Sequence, residues 1–383
     1  MSTIINTRSP YFIKESAQAG TMTSATFEIK IWDGIKTNPP TAVTYTITKT
    51  PLEISTGNFV VLEVSELIRD YLQTEYYTEA VDAVWVNIAN TITFSGGSQT
   101  TGNDTYLAID GFGYFEDGIN PRTSTDPTAS SFTPMVLQSN LCVQFVKGRD
   151  IKIPIFSEAE PTITTTATAN NQWDVVAEFW EQVASNWDST GTTQNVVDSD
   201  DSDDKIQYII ISSNNLITGN TITVTSTTGP AQTQVITLEE ICETRFDPIR
   251  SIFYNKFGAL QTMWLTKKST TETKVKSEEF KRNTVDFSGN PAYSVFKHNK
   301  KRFNVKANQS IETNTTLLNE CLNEPIEQLL MSEQVWLEDG ALNTAPVNLK
   351  TQSLKRKIGV NDKVNIQYTL NFDYAFDKIN SVR

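Results

Sequence analysis

The sequence predicts a mainly β, multidomain protein: β-sandwich modules of immunoglobulin or fibronectin type, then a C-terminal α+β module. Three observations predict it. Hydrophobic residues make up 38% and charged residues 20% of the 383 positions, both below globular averages, and Thr, Asn and Ser fill the difference. Aromatics stand at 10%, including seven Trp, which excludes the composition of a disordered chain. Short runs then repeat apolar residues with a period of two, as half-buried strands require. Length alone points to two or three domains.

The first expected domain spans 1–155, a β-sandwich with one short helix. Phe27, Ile29 and Ile31 alternate with Glu28, Lys30 and Trp32, and Asp33-Gly34 turns the chain. Val43, Tyr45 and Ile47 repeat that period, and Phe59 to Val64 is a continuous apolar run. Ser65 is placed to cap a helix whose face is Leu67, Ile68, Tyr71 and Leu72. Strands are expected at 84–88 and 91–94, a Gly/Ser/Thr loop over 95–105, and a strand over 106–115. Residues 141–146 and 151–156 read as a closing pair around Gly148-Arg149.

The second expected domain, 156–306, is β-rich, with an acidic loop and a basic hairpin. Trp173, Val176, Phe179, Trp180, Val183 and Trp187 fit one face of a short helix, with a strand as the alternative. Residues 206–212 form a β-run, 221–224 pair with 234–238, and 252–257 with 260–265 make a hairpin around Gly258-Ala259. The third domain, 307–383, opens with a helix carrying Leu317, Leu318, Cys321 and Leu322, which Pro325 breaks or restarts. Antiparallel strands follow. The strongest alternation is Val364, Ile366, Tyr368, Leu370, Phe372 and Tyr374, a strand about twice the usual length. No fixed-period repeat appears, which excludes solenoids and propellers.

Several function classes drop out. One histidine cannot build a catalytic zinc centre of two or three imidazoles within one subunit. Cys142, Cys242 and Cys321 are widely spaced and odd in number, and read as reduced and mostly buried. No apolar window is long enough for a membrane span, and MSTIINTRSPYF lacks a signal-peptide core, so synthesis in a cytoplasm is expected. Neither a phosphate-binding glycine loop nor a nucleophile elbow occurs.

Three motifs invite sharper readings. The run Asp198 to Asp204 begins like a calcium loop, but Asp203 stands where Gly should turn the chain and Ile209 where Glu should ligate. A solvated loop is the better reading. His298 lies among cations and lacks catalytic partners, so it reads as a surface residue. Glu178 and Glu181 flank Trp180, as in a glycosidase site, but their spacing is ordinary for any helix surface. No catalytic residue, cofactor or metal is assigned.

Charge is uneven. The chain carries −13, yet Trp264 to Lys306 holds eleven Lys/Arg against four acids, leaving roughly −20 on the other 340 residues. Lys267, Lys268, Lys281, Arg282, Lys300, Lys301 and Arg302 are therefore the candidate interface, with Phe280, Phe296 and Phe303 beside them. An acidic protein surface ranks first, a solvated hairpin with no partner next, and nucleic acid last, because the acidic body would repel it. This chain itself offers such a surface.

Two stretches resemble known proteins. One runs Leu238-Glu239-Glu240-Ile241-Cys242-Glu243, Asp247-Pro248-Ile249 and Phe253-Tyr254-Asn255-Lys256-Phe257-Gly258, through to Trp264. The other is C-terminal: Leu329-Leu330-Met331-Ser332, Val335-Trp336-Leu337, Pro346-Val347, Lys350 and the strand ending Phe372-Asp373-Tyr374-Ala375. Both resemble segments of virion proteins of tailed bacteriophages infecting Bacteroidota, including crAss-like phages, in which an N-x-F-G strand precedes a Lys-rich segment. Residues 238–383 carry the resemblance; the N-terminal half adds only Arg8-Ser9-Pro10-Tyr11. It implies a structural component of tail, neck or baseplate, without catalysis, located in the virion and multimerising with itself and other virion proteins. The rivals are a glycan- or receptor-binding fibre using Trp32, Trp85 or Tyr76-Tyr77, and a depolymerase using Glu178 and Glu181.

Overall fold

The computed structural model describes residues 4–16, 22–34, 36–54, 57–74, 76, 83–120, 135–156, 162–166, 192–193, 206–211, 213, 216–225, 233–241, 245–316, 318, 320–355 and 367–379. The fold is mainly β, with several sheets and a small helix near the C-terminus. The chain divides into two compact units. Unit 1 is Met1–Glu243, Ile252–Met263 and Cys321–Glu333, and unit 2 is Thr244–Ser251, Trp264–Glu320 and Gln334–Arg383.

Unit 1 opens with the predicted alternation. In strand Met22–Trp32 the side chains of Ala25, Phe27 and Ile29 are fully buried while Glu28 faces out. That strand pairs with Tyr45–Lys49 on one side and Ala83–Phe94 on the other. Gly97–Ile109 follows, and Ile4–Asn6 closes the sheet in parallel. A second sheet, Phe12–Ser16, Gly57–Glu63 and Leu52–Ile54, packs on it through Ile13, Val60 and Leu62, making one sandwich core.

A second sandwich core lies between two further sheets of unit 1. Ile151–Phe156 pairs with Ile206–Ile211 and Met135–Val136. Facing it, Thr221–Thr225 pairs with Thr233–Glu240, which takes Cys142–Phe145 in parallel. Phe145, Ile153, Ile155, Ile222, Val224 and Ile236 fill the space between them.

Four expectations change. The segment 97–105 is not a loop: it belongs to the hairpin partner of Ala83–Phe94, with a bulge where Asn90 faces Gly102 and Thr91 faces Thr100. Thr favours extended backbone, and Gly marks the irregularity rather than a loop. Phe115, expected at a strand end, instead starts a 3-10 turn, Phe115–Asp117, after the strand has stopped at Ile109. The 141–146 and 151–156 segments do not pair with each other; Gly148, at φ +79°, turns the chain from one sheet into the other. Helix Ser65–Arg69 forms where expected, but Val64 occupies the cap position, and the Ser65 hydroxyl bonds the Glu63 carboxylate. The expected helix over 173–187 lies outside the described residues, as do Asp198–Asp204 and residues 364–366 of the last strand. In the described part of that strand, Leu370 and Phe372 are buried and Thr369 is exposed.

The cysteines correct a fifth reading. Cys142 and Cys321 form a disulfide across 179 residues, with Cα atoms 6.7 Å apart. Their separation leaves no spacing motif, because the pairing exists only once the chain folds. Cys242 lies outside the described residues. We expect thiol titration of the denatured, unreduced protein to find at least two fewer free thiols per chain than the three found after reduction. Three before reduction would contradict the bridge.

Unit 2 is built on an antiparallel sheet. Its order is Val335–Glu338, Thr344–Leu349, Thr369–Tyr374, Lys300–Asn314 and Thr270–Lys281. Ile311, Val347, Leu370 and Phe372 are buried in it. Arg250 pairs with Glu338, both side chains nearly covered, and its guanidinium lies 5.5 Å from the Trp264 ring centre. Removing either partner alone would leave a buried polar group without its counterpart, which is the costly way to break such a pair.

A candidate interaction arm

Two strands of unit 2 outrun their sheet. Strand Lys300–Asn314 pairs with Thr369–Tyr374 only through Ser310–Asn314, and the Lys378 amide reaches the Ala307 carbonyl (2.9 Å). From Lys276 and Lys306 outward the ladder runs only between these two strands. At ~3.4 Å per residue, the 12 residues of Thr270–Lys281 extend about 40 Å. Of residues 267–306, all but Ser277, Thr284 and Ser294 are exposed. Thr270–Lys281 shows no alternation of buried and exposed positions, so neither face of this ribbon is committed to a core.

Local bonds hold it in shape. Asn304 takes φ +48° at a bulge where the register shifts, a conformation Asn tolerates better than most residues. Its side-chain amide donates to Glu278 (3.1 Å), and the Arg302 guanidinium donates to the Ser277 hydroxyl at 2.8 and 2.9 Å. Phe280 and Phe303 meet edge to face, 5.5 Å between ring centres. Beyond them Val285 pairs with Tyr293 in a small terminal hairpin. There the Ser288 amide, and then its hydroxyl, hold the Asp286 carboxyl below the usual carboxylate range.

The seven predicted interface residues divide. Lys281, Arg282, Lys300, Lys301 and Arg302 come together where the ribbon meets its tip: Lys281 faces Lys300, Phe280 faces Lys301 and Glu279 faces Arg302. Lys267 and Lys268 sit at the far end of Thr270–Lys281, where their backbone bonds Asn314. Two like-charged pairs, Lys276 with Lys306 and Lys281 with Lys300, stand directly opposite each other, an arrangement that weakens an isolated ribbon. A neighbouring acidic surface would relieve both. His298 is exposed on the same tip.

Counting charges missed the apolar side of this arm. Phe287, Tyr293, Val295 and Phe296 are exposed by 67%, 72%, 80% and 91%. The available signal was the density of the cluster itself, with Val285, Phe287, Tyr293, Val295 and Phe296 close together in sequence. Trp85, one of the expected glycan platforms, is 4% exposed within the Ala83–Phe94 sheet and cannot stack on a sugar. Tyr77, Glu178 and Glu181 lie outside the described residues. Among the described residues no helix is long and apolar enough to cross a membrane.

No protein family and no curated protein matches the chain. Among solved structures that match is dimeric latent PorU from Porphyromonas gingivalis, at 8% identity and a TM-score of 0.18. The match covers 82% of this chain and 30% of that one, so this chain spans under a third of its length.

Proposed function

We propose that this chain is a non-enzymatic structural component of a tailed-phage particle, in its tail, neck or baseplate. It is made in the bacterial host cytoplasm, resides in the virion and works as a ring or other symmetric multimer. The observation that carries this reading is the arm. A two-stranded ribbon is marginal in water by itself, and this one presents cations and bare aromatics on a body of opposite charge. Such a device gains its value when symmetry repeats one modest contact around a closed assembly. The resemblance of residues 238–383 to phage virion proteins points the same way.

Changing Lys281, Arg282, Lys300, Lys301 and Arg302 to Gln tests it. At roughly 0.3–1 kcal/mol for each screened cation, self-association measured by sedimentation should weaken tenfold or more. Unchanged association would remove the arm from assembly.

A further inference from the structure

The arm leaves open which surface receives it. Among the described residues, the six most exposed large apolar side chains are Phe115 (99%), Phe296 (91%), Val295 (80%), Ile119 (79%), Tyr293 (72%) and Phe287 (67%). They occupy two places only. Four are on the arm tip, where residues 280–303 hold six Lys/Arg and one Asp. The other two, Phe115 and Ile119, bracket Glu116 and Asp117 in a turn of unit 1 whose residues 111–120 contain no Lys or Arg.

That turn is built rather than loose. The Asp117 carboxylate accepts the Tyr114 amide (2.8 Å), and the Asp117 and Gly118 amides donate to the carbonyls of Tyr114 (3.0 Å) and Phe115 (3.2 Å). Asn120 then clamps the Phe12 backbone from both sides, accepting from its amide (2.6 Å) and donating to its carbonyl (2.8 Å). An aromatic held fully in water by a pre-ordered turn loses little further freedom on being covered, which is how binding anchors work.

Resting on the assembly reading above, we propose that the arm tip of one copy docks on the Phe115–Ile119 knob of the next copy. Phe115 and Ile119 enter the apolar tip, and Glu116 and Asp117 meet Lys300, Lys301 and Arg302. The contact is heterologous, joining different surfaces of the two copies. Repeated, it produces a ring if the rotation closes and an open filament otherwise.

Charge exchange in the full-length chain tests it. Two variants are made, E116K/D117K and K300E/K301E/R302E, and circular dichroism spectra confirm that each retains the wild-type fold. Each alone should self-associate at least tenfold more weakly than wild type in low salt. Their equal mixture, and the chain carrying all five changes, should recover assembly because each arm then meets a knob of opposite sign. Wild-type assembly by E116K/D117K, or no recovery in the mixture, would overturn the knob while leaving arm-driven assembly standing. A wild-type chain that stays monomeric in low salt would overturn both.

Discussion

Gly258→Ala is expected to destabilise unit 1 by about 2–5 kcal/mol, whereas Gly289→Ala stays within about 0.5 kcal/mol of wild type. Gly258 has φ +69°, and a Cβ there would lie 2.7 Å from the Asp110 carbonyl carbon and 2.9 Å from its amide nitrogen. Left-handed backbone costs an L-residue roughly 1–2 kcal/mol, and forcing an atom into a packed backbone adds about 1–3 more. No flexible side chain can move aside, because the obstacle is main chain. Gly289, in the arm tip, meets nothing within 4 Å and its φ is unremarkable. Urea unfolding of the two variants checks this; equal midpoints would contradict the packing argument.

The same turn explains why the Asn255-x-Phe257-Gly258 motif has its form. The Asn255 side chain accepts the Phe257 and Ala259 amides (2.9 and 3.3 Å) and donates to the Leu137 carbonyl (2.6 Å) and the Gln261 side chain (3.1 Å). Lys256 bonds Gln328 and Glu324 of helix Asn323–Met331. Phe257 and Ala259 pack with Trp85, Leu107, Leu137 and Ile206 in a third apolar cluster. A motif noticed for its resemblance therefore has a structural role in this chain, fastening one tight turn to several parts of unit 1.

Asp110→Ala should be comparably severe, at about 3–5 kcal/mol, because it strands a buried cation. Arg8 donates through Nε to Asp110 at 3.0 Å, and their side chains are 12% and 5% exposed. Burial by itself would lower the Arg8 pKa; the hydrogen bond and charge of Asp110, with Glu333 behind them, more than reverse this and raise it. The Arg8 backbone is also tied to Gly111 (2.9 Å). The joint change R8M/D110L should recover most of the loss, since a well-packed apolar pair often equals a buried ion pair. Urea midpoints of the single and double variants decide it. If Asp110→Ala unfolds with wild type, the pair contributes nothing.

Sequence alone reached the parts of this fold that short-range pattern encodes. Phe27, Ile29 and Ile31 marked a strand, and Thr221–Thr225 found Thr233–Glu240, because period two and adjacent turns are local signals. Partners of distant elements were not legible. Gly148 signalled a turn without saying that the chain changes sheets there. Arg8 and Asp110 stand 102 residues apart, and Cys142 and Cys321 still further. Thr-rich 97–105 looked like a loop because Gly and Ser outweighed the β-preference of Thr. The arm was legible as charge but not as surface: whether Phe287 or Phe296 is covered depends on the whole fold, not on its neighbours in sequence.

Assembly through opposite charges is decided by the mass of the intact protein in solution. Light scattering at low and high ionic strength should find a multimer that loosens as salt screens the arm. A monomer at both salt concentrations would contradict it.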